Sequence, residues 1–267
     1  MSFFEKLEKI IKKNQSLICV GLDSEVEKIA NNDQFSFNKR IIKATNPYVC
    51  SYKLNTAFYE AIGYKGILAL EKTCRFIKAQ HPEIPIIIDA KRADIANTNI
   101  GYLKFVFDYL NADAVTVNPY LGEESLMPFL EKKDKGIIIL CWTSNPGAKE
   151  FQDLKLKFKV KNYNKELPLY QYVAYQVATK WNKNNNCLLV VGATYPKELK
   201  KIRKIVGDKM WILVPGVGSQ GGDIKQVLKA GLNSKRQGLI INVSRSVIFS
   251  ANPEKEVKQL KAILSYL

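Results

Sequence analysis

The chain has 267 residues, 46% of them hydrophobic, so it is long enough to bury one large core as a single domain. It contains no run of about 18 apolar residues, which excludes an apolar transmembrane helix. Residues 2–14 are typical of an amphipathic helix with Ser2 and Glu5 spaced as a capping box, and they do not resemble a signal peptide. We therefore expect a cytoplasmic protein.

The formal net charge is +16, and an excess of lysine of this size raises the question of nucleic-acid binding. The lysines are spread over every predicted helix, and neither an aromatic RNA-binding motif nor a helix-turn-helix pattern stands out. Nucleic-acid binding is an alternative interpretation of the charge, but we expect neither a nucleic-acid nor a membrane partner.

Five cysteines are present, an odd number without a C-x-x-C pair. Four of them fall inside apolar runs that are typical of strands, which favours buried free thiols over disulfides or metal ligands. They are Cys19, Cys50, Cys74, Cys141 and Cys187.

Eight apolar runs rich in β-branched residues follow one another along the chain, and helix-period segments lie between most of them. Continuous rather than alternating hydrophobicity is typical of strands that are buried on both faces. Pro196 and Pro253 stand where two of the helices should begin, with Asn252 as a cap before the second. The predicted strands are 17–22, 48–54, 86–88, 114–118, 136–142, 187–193, 211–217 and 238–243, and the predicted helical segments are 67–77, 100–110, 126–130, 173–181, 199–206, 224–228 and 257–264.

This repeated β-α alternation predicts an α/β fold, a (β/α)8 or TIM barrel, as a single domain over residues 1–267. An open doubly wound sheet is less favoured, because the first strand ends in Gly21-Leu22-Asp23 without a glycine-rich dinucleotide-binding turn. We expect one insertion at about residues 149–167, after strand five. Inside it, residues 155–161 alternate lysine with apolar residues, which predicts a strand with a protective lysine face; a polyanion site is the alternative.

Residues 89–99 bring two carboxylates and a lysine to the carboxyl end of strand three. In a parallel α/β protein the loops at that end face a shared crevice where chemistry takes place. Asp89 and Lys91 project to the same side of an extended strand, and Asp94 can fold back towards the lysine. A lysine held between two carboxylates stays protonated at neutral pH, so it can act as an acid. A surface ion-pair cluster is the alternative.

A glycine-rich segment follows strand seven, from Pro215 to Asp223, and strand eight is followed by Ser244-Arg245. Loops seven and eight of such barrels commonly bind phosphate through backbone N–H groups, helix N-termini and an arginine. Glycines allow the backbone to approach such a ligand closely. We expect a phosphate site here, and a tight turn without a ligand is the alternative.

Several common catalytic sets are missing from the sequence. The single histidine, His81, precedes strand three on the opposite face of the barrel, which disfavours a histidine-based triad and a histidine-bound metal. No nicotinamide, flavin or Walker motif is evident, so we expect neither a cofactor nor a metal. The remaining groups suit proton transfer at carbon on a phosphorylated substrate, and besides the phosphate site they are Lys53, Lys91, Asp23, Asp89 and Asp94.

Seven motifs together resemble the orotidine 5'-phosphate decarboxylase family, in the form of its longer bacterial, type 2-like branch. The resemblance runs along essentially the whole barrel and departs from the family pattern where Ala93 and Ala96 replace expected glycines. It implies a cofactor-independent carbon-carbon lyase that converts orotidine 5'-phosphate to UMP and CO2 in pyrimidine biosynthesis. The motifs are Gly21-Leu22-Asp23, Tyr52-Lys53-Leu54-Asn55, Ser244-Arg245 and residues 89–98, 117–122, 143–148 and 215–223.

The resemblance also implies a catalytic array and a homodimer. The array would alternate lysine and aspartate, with Asp94 reaching into the active site of the neighbouring subunit. Ile95 and Thr98 would arrive across the same interface. The four catalytic residues implied in this way are Lys53, Asp89, Lys91 and Asp94.

Substrate contacts follow from the same resemblance. Asp23 would bind the ribose hydroxyls, and Ser144 would read the pyrimidine edge. Gln220 and Arg245 would hold the phosphate, with Gln220 on a mobile lid. The other implied contacts are Pro215, Gly216, Gly218 and Ser244.

A Mg²⁺-dependent phosphosugar aldolase or decarboxylase of the same superfamily is the alternative function. Such enzymes share the Asp-x-Lys-x-x-Asp pattern of strand three, but they hold Mg²⁺ with carboxylates that include one at the end of strand two. In this chain that position carries Lys53, whose ammonium disfavours a cation. The decarboxylase is therefore the function we expect, and magnesium dependence separates the two.

Overall fold

Eight parallel strands close into a barrel in the computed structural model of the chain, and two further strands form a separate hairpin. The structure describes residues 1–160, 163–218 and 222–265, without the side chains of residues 96, 158–160, 163–165 and 265. The strands are β1 (Ile18–Gly21), β2 (Ser51–Asn55), β3 (Ile86–Arg92), β4 (Ala114–Val117), β5 (Gly136–Trp142), β6 (Lys155–Val160), β7 (Tyr163–Pro168), β8 (Cys187–Val191), β9 (Ile212–Pro215) and β10 (Leu239–Val243).

The strand order confirms the predicted (β/α)8 barrel. Each barrel strand pairs in parallel with the next along the chain, β5 pairs with β8, and β10 closes the barrel on β1 with Ile241 opposite Ile18. Every predicted strand overlaps an observed one. Nearly all of their side chains are buried, because the helices cover the outer face while the inner face packs on itself.

Helices connect the strands around the outside of the barrel. The helix of 12 residues between β1 and β2 was not predicted, nor were three short helices, Ala57–Glu60, Ala148–Gln152 and Arg245–Ile248. Two helices continue into π-helical turns at Lys104–Tyr109 and Val177–Trp181. The α-helices are α1 (Phe3–Asn14), α2 (Gln34–Thr45), α3 (Ala57–Glu60), α4 (Tyr64–Gln80), α5 (Ala96–Leu103), α6 (Gly122–Leu130), α7 (Ala148–Gln152), α8 (Leu169–Gln176), α9 (Pro196–Val206), α10 (Ile224–Gly231), α11 (Arg245–Ile248) and α12 (Pro253–Ser265).

The helix ends confirm the boundary signals of the sequence. The Ser2 hydroxyl accepts from the Glu5 N–H at 3.3 Å, and the Ser2 N–H donates to the Glu5 carboxylate at 2.8 Å, which completes the capping box of α1. Pro196 and Pro253 begin α9 and α12, and the Asn252 side chain accepts from a backbone N–H of the first turn of α12.

Helix α1 covers the amino-terminal end of the barrel. Its first residue, Phe3, is buried and donates its backbone N–H to the carbonyl of Asp134 at 2.8 Å. A Cβ added at Gly136, the first residue of β5, would lie 2.6 Å from the Phe3 ring. Glycine at this position therefore lets the helix pack closely on the strand. Because α1 covers this end of the barrel, the site lies at the other end.

The segment after β5 contains helix α7 and the antiparallel pair β6–β7. Lys155 lies opposite Pro168 and Val160 opposite Tyr163, so the lysine-alternating stretch forms a strand as predicted. Lys155 also pairs with Glu166 at 3.5 Å between Nζ and Oε1. Lys161, the last residue of that predicted strand, lies outside the described residues.

All five cysteines are free and buried, as the sequence predicted. Burial raises the pKa of the Cys19 and Cys74 thiols to about 12, so these thiols stay protonated at neutral pH. Among the described residues, no helix combines the length and the apolar character that crossing a membrane requires.

Candidate active site

A cavity of about 190 Å³ opens at the carboxyl end of the barrel strands. Nine of the predicted site residues line it, namely Asp23, Lys53, Asp89, Lys91, Ser144, Pro215, Gly216, Ser244 and Arg245. The lining residues that had not been assigned a role are Asn55, Thr116, Leu140, Thr143, Val190, Leu213, Val217 and Asn242.

The ammonium of Lys53 forms ion pairs with two carboxylates of its own chain. Its Nζ lies 3.0 Å from Oδ2 of Asp89 and 3.5 Å from Oδ1 of Asp23, and its side chain is 3% exposed. Burial on its own would lower the pKa of Lys53, but the two carboxylates outweigh burial and raise it above the usual value. Lys53 therefore stays charged at neutral pH.

Asp89 accepts three side-chain hydrogen bonds at the end of β3. Lys53 donates to Oδ2, while Lys91 Nζ at 2.7 Å and the Thr116 hydroxyl at 2.8 Å donate to Oδ1. Burial would raise the pKa of Asp89, but the two lysines outweigh it and lower the pKa well below its usual range. The carboxylate is therefore ionised and fixed in orientation.

Lys91 projects its ammonium to the mouth of the cavity. Its side chain is 46% exposed although its Nζ pairs with Asp89, so the ammonium has one paired and one open side. The backbone of Lys91 adopts φ +50°, a left-handed conformation that is uncommon for a non-glycine residue. This conformation lies in an irregular part of β3, where its register with β4 shifts between Ile88 and Arg92.

Asp94 does not fold back onto Lys91 of its own chain. Among the residues that the structure describes, Lys91 pairs with Asp89 alone. The backbone N–H of Asp94 donates to the Asn99 side chain at 3.0 Å, and its Oδ1 accepts from the Ile95 N–H at 2.7 Å. Asp94, Ile95 and Thr98 do not line the cavity of their own chain.

The predicted phosphate end of the cavity combines left-handed glycines with an exposed arginine. Gly216 and Gly218 have φ values of +93° and +82°, a conformation that a side chain would strain. Gly216 lines the cavity and Gly218 does not. Arg245 begins α11 and is exposed. Gln220, the other residue predicted to hold phosphate, lies outside the described residues.

Two close approaches position the serines of the site. The Ser244 hydroxyl donates to the carbonyl of Gly21 at 3.0 Å, and a Cβ added at Gly21 would lie 2.9 Å from that of Ser244. A Cβ added at Gly192 would lie 2.9 Å from the Cα of Ser144. Glycine at both positions therefore lets the loops that carry the serines pack against neighbouring strands.

Thr116 and Asn242 are the two polar lining residues that lie in none of the motifs named from the sequence. Both are buried, and each is a polar residue inside an otherwise apolar barrel strand. A polar side chain in such a run must find a partner or face a cavity, and that was the available signal. The Asn242 side chain accepts from the Cys19 thiol at 3.6 Å.

Comparisons with known proteins agree with this geometry. A family model described as "Orotidine 5'-phosphate decarboxylase / HUMPS family" matches residues 16–260. A curated orotidine 5'-phosphate decarboxylase from Cellvibrio japonicus is 45% identical over 271 aligned residues, which cover 98% of this chain and 95% of that protein.

Solved structures give the same result. The structure of Leishmania donovani OMP decarboxylase matches with a TM-score of 0.87 and 38% identity, covering 100% of this chain and 98% of that one. The structure of Leishmania donovani UMP synthase matches with a TM-score of 0.88 and 40% identity over 99% of this chain, which spans 56% of that longer chain. Sequence and structural similarity over nearly its full length show that this chain belongs to the orotidine 5'-phosphate decarboxylase / HUMPS family.

Proposed function

We propose that the chain is an orotidine 5'-phosphate decarboxylase, a lyase that converts orotidine 5'-phosphate to UMP and CO2 in pyrimidine biosynthesis. The observation that carries the proposal is the row of alternating charges Lys53, Asp89 and Lys91, buried at one end and open to the cavity at the other. Family membership suggests the reaction, and the row supplies a charged proton donor for it.

Lys91 stabilises the developing charge and then donates the proton. Loss of CO2 leaves an electron pair on C6 of the pyrimidine, and a fixed ammonium beside that carbon lowers the energy of the carbanion. The ammonium then transfers a proton to C6, which completes UMP. The 2.7 Å bond to Asp89 orients the ammonium while its other side stays open to a ligand.

Asp89, Lys53 and Asp23 complete the reacting end of the site. In this mechanism Asp89 faces the departing carboxylate, and the two lysines keep it ionised. Lys53 and Asp23 bind the ribose hydroxyls, since the lysine is a donor and Asp23 an acceptor at the same edge of the cavity.

The other end of the cavity binds the base and the phosphate. Ser144 hydrogen-bonds the pyrimidine edge, and the Arg245 guanidinium with the backbone N–H of Gly216 holds the phosphate dianion, while Pro215 lines the wall beside it. The positions of these four residues on the cavity wall support this assignment. The roles of Gly218, Ser244 and Gln220 rest on the family resemblance, with Gln220 on a closing lid.

A homodimer completes the site in this proposal, with Asp94, Ile95 and Thr98 entering the neighbouring subunit. The Asp94 carboxylate has no ion-pair partner among the described residues, and it accepts a local hydrogen bond from the Ile95 N–H at 2.7 Å. Ile95 and Thr98 are exposed beside it. A group of exposed apolar side chains is typical of a surface that a partner covers. The exposed apolar side chains of the same region also include Ile100, Tyr120 and Leu121.

Magnesium-dependent phosphosugar chemistry is not supported. Two of the three proteins compared above carry the decarboxylase name, and the Lys53 ammonium lies between Asp23 and Asp89, where a cation would have to bind. We also place the enzyme in the cytoplasm, as expected for a step of nucleotide biosynthesis.

The test is the fall in ultraviolet absorbance of orotidine 5'-monophosphate with purified protein in excess chelator. We expect metal-free turnover by the natural chain and a loss of about 10³-fold or more in the Lys91→Ala variant, because the proton donor is gone. Lys9→Ala, which removes an exposed lysine of α1, is the matched control and should keep full activity.

The decarboxylase assignment fails if the natural chain leaves this substrate unchanged and instead acts on a phosphosugar only when Mg²⁺ is present. The assignment of Lys91 alone fails if Lys91→Ala and Lys9→Ala turn over the nucleotide at similar rates.

A further inference from the structure

We infer that Thr116, a residue of β4, is a positioning residue for the reaction, because its hydroxyl holds Lys91 in its left-handed conformation and fixes Asp89 at the same time. The inference rests on the proposed decarboxylase function for its kinetic part. Thr116 contacts Asp89 and Lys91, and it acts on the substrate only through these two residues.

The hydrogen bonds of Thr116 have one consistent direction. The backbone N–H of Lys91 donates to Oγ1 of Thr116 at 2.9 Å, which uses the hydroxyl oxygen as an acceptor. The hydroxyl proton is then available for Oδ1 of Asp89, at 2.8 Å between the oxygens. Asp89 is ionised and can only accept, so this is the one arrangement that satisfies all three groups.

These bonds close a ring through both ends of Lys91. Its backbone N–H reaches Asp89 through the Thr116 hydroxyl, and its ammonium reaches the same Oδ1 directly at 2.7 Å. The path of the backbone and the position of the ammonium are therefore tied to one carboxylate oxygen. A ring of this kind limits where Nζ can lie, although the side chain is half exposed.

The strand register shows why the backbone of residues 89–91 needs an additional hydrogen bond. Ile88 pairs with Val115 and Arg92 pairs with Val117, so residues 89–91 of β3 lie opposite Thr116 alone on β4. Two residues more than a regular ladder allows are accommodated as an irregular bend, and the left-handed φ of Lys91 is part of it. The regular backbone bonds of β3 and β4 are interrupted here, and the Thr116 hydroxyl replaces one of them.

A structural role alone would not require a hydroxyl at Thr116. The residue is 1% exposed inside the run Ala114–Val117, where a valine of the same shape would satisfy packing. A buried hydroxyl costs free energy unless it is bonded, and both of its bonds go to the two residues that carry the chemistry.

The experiment compares Thr116→Val, which removes the hydroxyl and keeps the shape, with Thr116→Ser, which keeps the hydroxyl and removes a methyl group. Thr73→Val is the matched control, because Thr73 is a fully buried threonine whose hydroxyl bonds to Ala69 and Asn38 in α4 and α2, away from the cavity. Activity on orotidine 5'-monophosphate, thermal stability and a crystal structure of Thr116→Val are measured.

We expect kcat to fall by about 10- to 100-fold in Thr116→Val with KM within threefold, and both values to stay within threefold in Thr116→Ser and Thr73→Val. In the crystal, Lys91 should leave the left-handed region or its Nζ should move away from Asp89. If Thr116→Val does not fold, Thr116→Ala replaces it in the comparison with Thr116→Ser.

The inference is overturned if Thr116→Val keeps kcat within threefold of the natural chain, or if kcat falls equally in Thr116→Val and Thr116→Ser. It is also overturned if Lys91 keeps its φ and its bond to Asp89 in the crystal of Thr116→Val. That crystallographic result does not depend on activity, so a natural chain without decarboxylase activity would count against the proposed function and leave this outcome readable.

Discussion

Two ion-pair clusters at opposite ends of the barrel have nearly the same composition and different consequences. At the carboxyl end, Asp89 contacts Lys53 and Lys91. At the amino end, Asp113 contacts Lys6 at 3.1 Å and Lys78 at 2.8 Å. The two carboxylates are similarly buried, with side chains that are 11% and 12% exposed. Composition and burial therefore do not distinguish a reactive cluster from a structural one.

The two clusters connect different elements of the fold. Asp113 accepts from the backbone N–H of Ile86 at 2.8 Å, and its lysines come from α1 and α4, so this cluster fastens two helices to the start of β3. Both lysines of that cluster are helical residues and largely buried. Lys91, at the other end of β3, has a left-handed backbone and an ammonium that is open to a cavity. An irregular backbone and an open side therefore distinguish the Asp89 cluster, which we propose to be the reactive one, from the Asp113 cluster.

The largest effect we expect is the loss of activity in Asp89→Asn. Replacing the carboxylate by an amide of the same shape removes the charge that orients Lys91, and activity should fall by about 10³-fold. The free energy of unfolding should change less in Asp89→Asn than in Asp113→Asn, because Lys53 keeps Asp23 as a partner and the Lys91 side chain is half exposed. Steady-state kinetics and urea unfolding measure the two quantities on the same preparation.

Asp113→Asn should give the opposite pattern, with a smaller and purely structural effect. It leaves Lys6 and Lys78 without a carboxylate in a buried place, and we expect a loss of about 3 kcal/mol in the free energy of unfolding. The kcat of the folded protein should stay within threefold. The contrast between the clusters is wrong if Asp89→Asn destabilises the chain more than Asp113→Asn does, or if Asp113→Asn lowers kcat as strongly as Asp89→Asn.

The barrel could be predicted from sequence because strands buried on both faces leave continuous apolar runs. The same signal failed at the end of β3, where the apolar run stops at Ile88 but the strand continues to Arg92. Charged residues can extend a barrel strand when their side chains face the cavity. Helix α2 was missed because three of its six buried positions, Gln34, Asn38 and Thr45, are polar, which interrupts the apolar stripe of the helix.

Nine of the predicted site residues line the cavity, but spacing along the chain did not predict which of them contact one another. Local spacing suggested that Lys91 lies between Asp89 and Asp94, whereas the lysine held between two carboxylates is Lys53. Its partners come from either side, because Gly21 of β1 and Ile87 of β3 both pair with Lys53 in the sheet. Strand register of this kind is a tertiary property, and no spacing along the chain encodes it. Thr116 did leave a sequence signal as a polar residue in the apolar run of β4, but the partners of its hydroxyl also depend on register.

The smallest effect we expect concerns the pH dependence of the amino-end cluster. Burial outweighs the attraction of Asp113 and lowers the pKa of Lys6 from 10.5 to about 8. Between these two values the unfolded chain binds more protons at Lys6 than the folded chain does, so this group favours folding increasingly as pH rises. The stability difference between the natural chain and Lys6→Met should therefore grow in favour of the natural chain from pH 8 to 10, by less than about 1.4 kcal/mol per pH unit.

Urea unfolding at several pH values measures this slope, with Lys9→Met as the control for losing one exposed charge from the same helix. A difference that stays flat or shrinks over this range would mean that Asp113 holds Lys6 protonated, as Asp89 and Asp23 hold Lys53. The Asp113 cluster would then match the Asp89 cluster in its electrostatics as well as in its composition. The open side of Lys91 and its irregular backbone would be the whole difference between the two clusters.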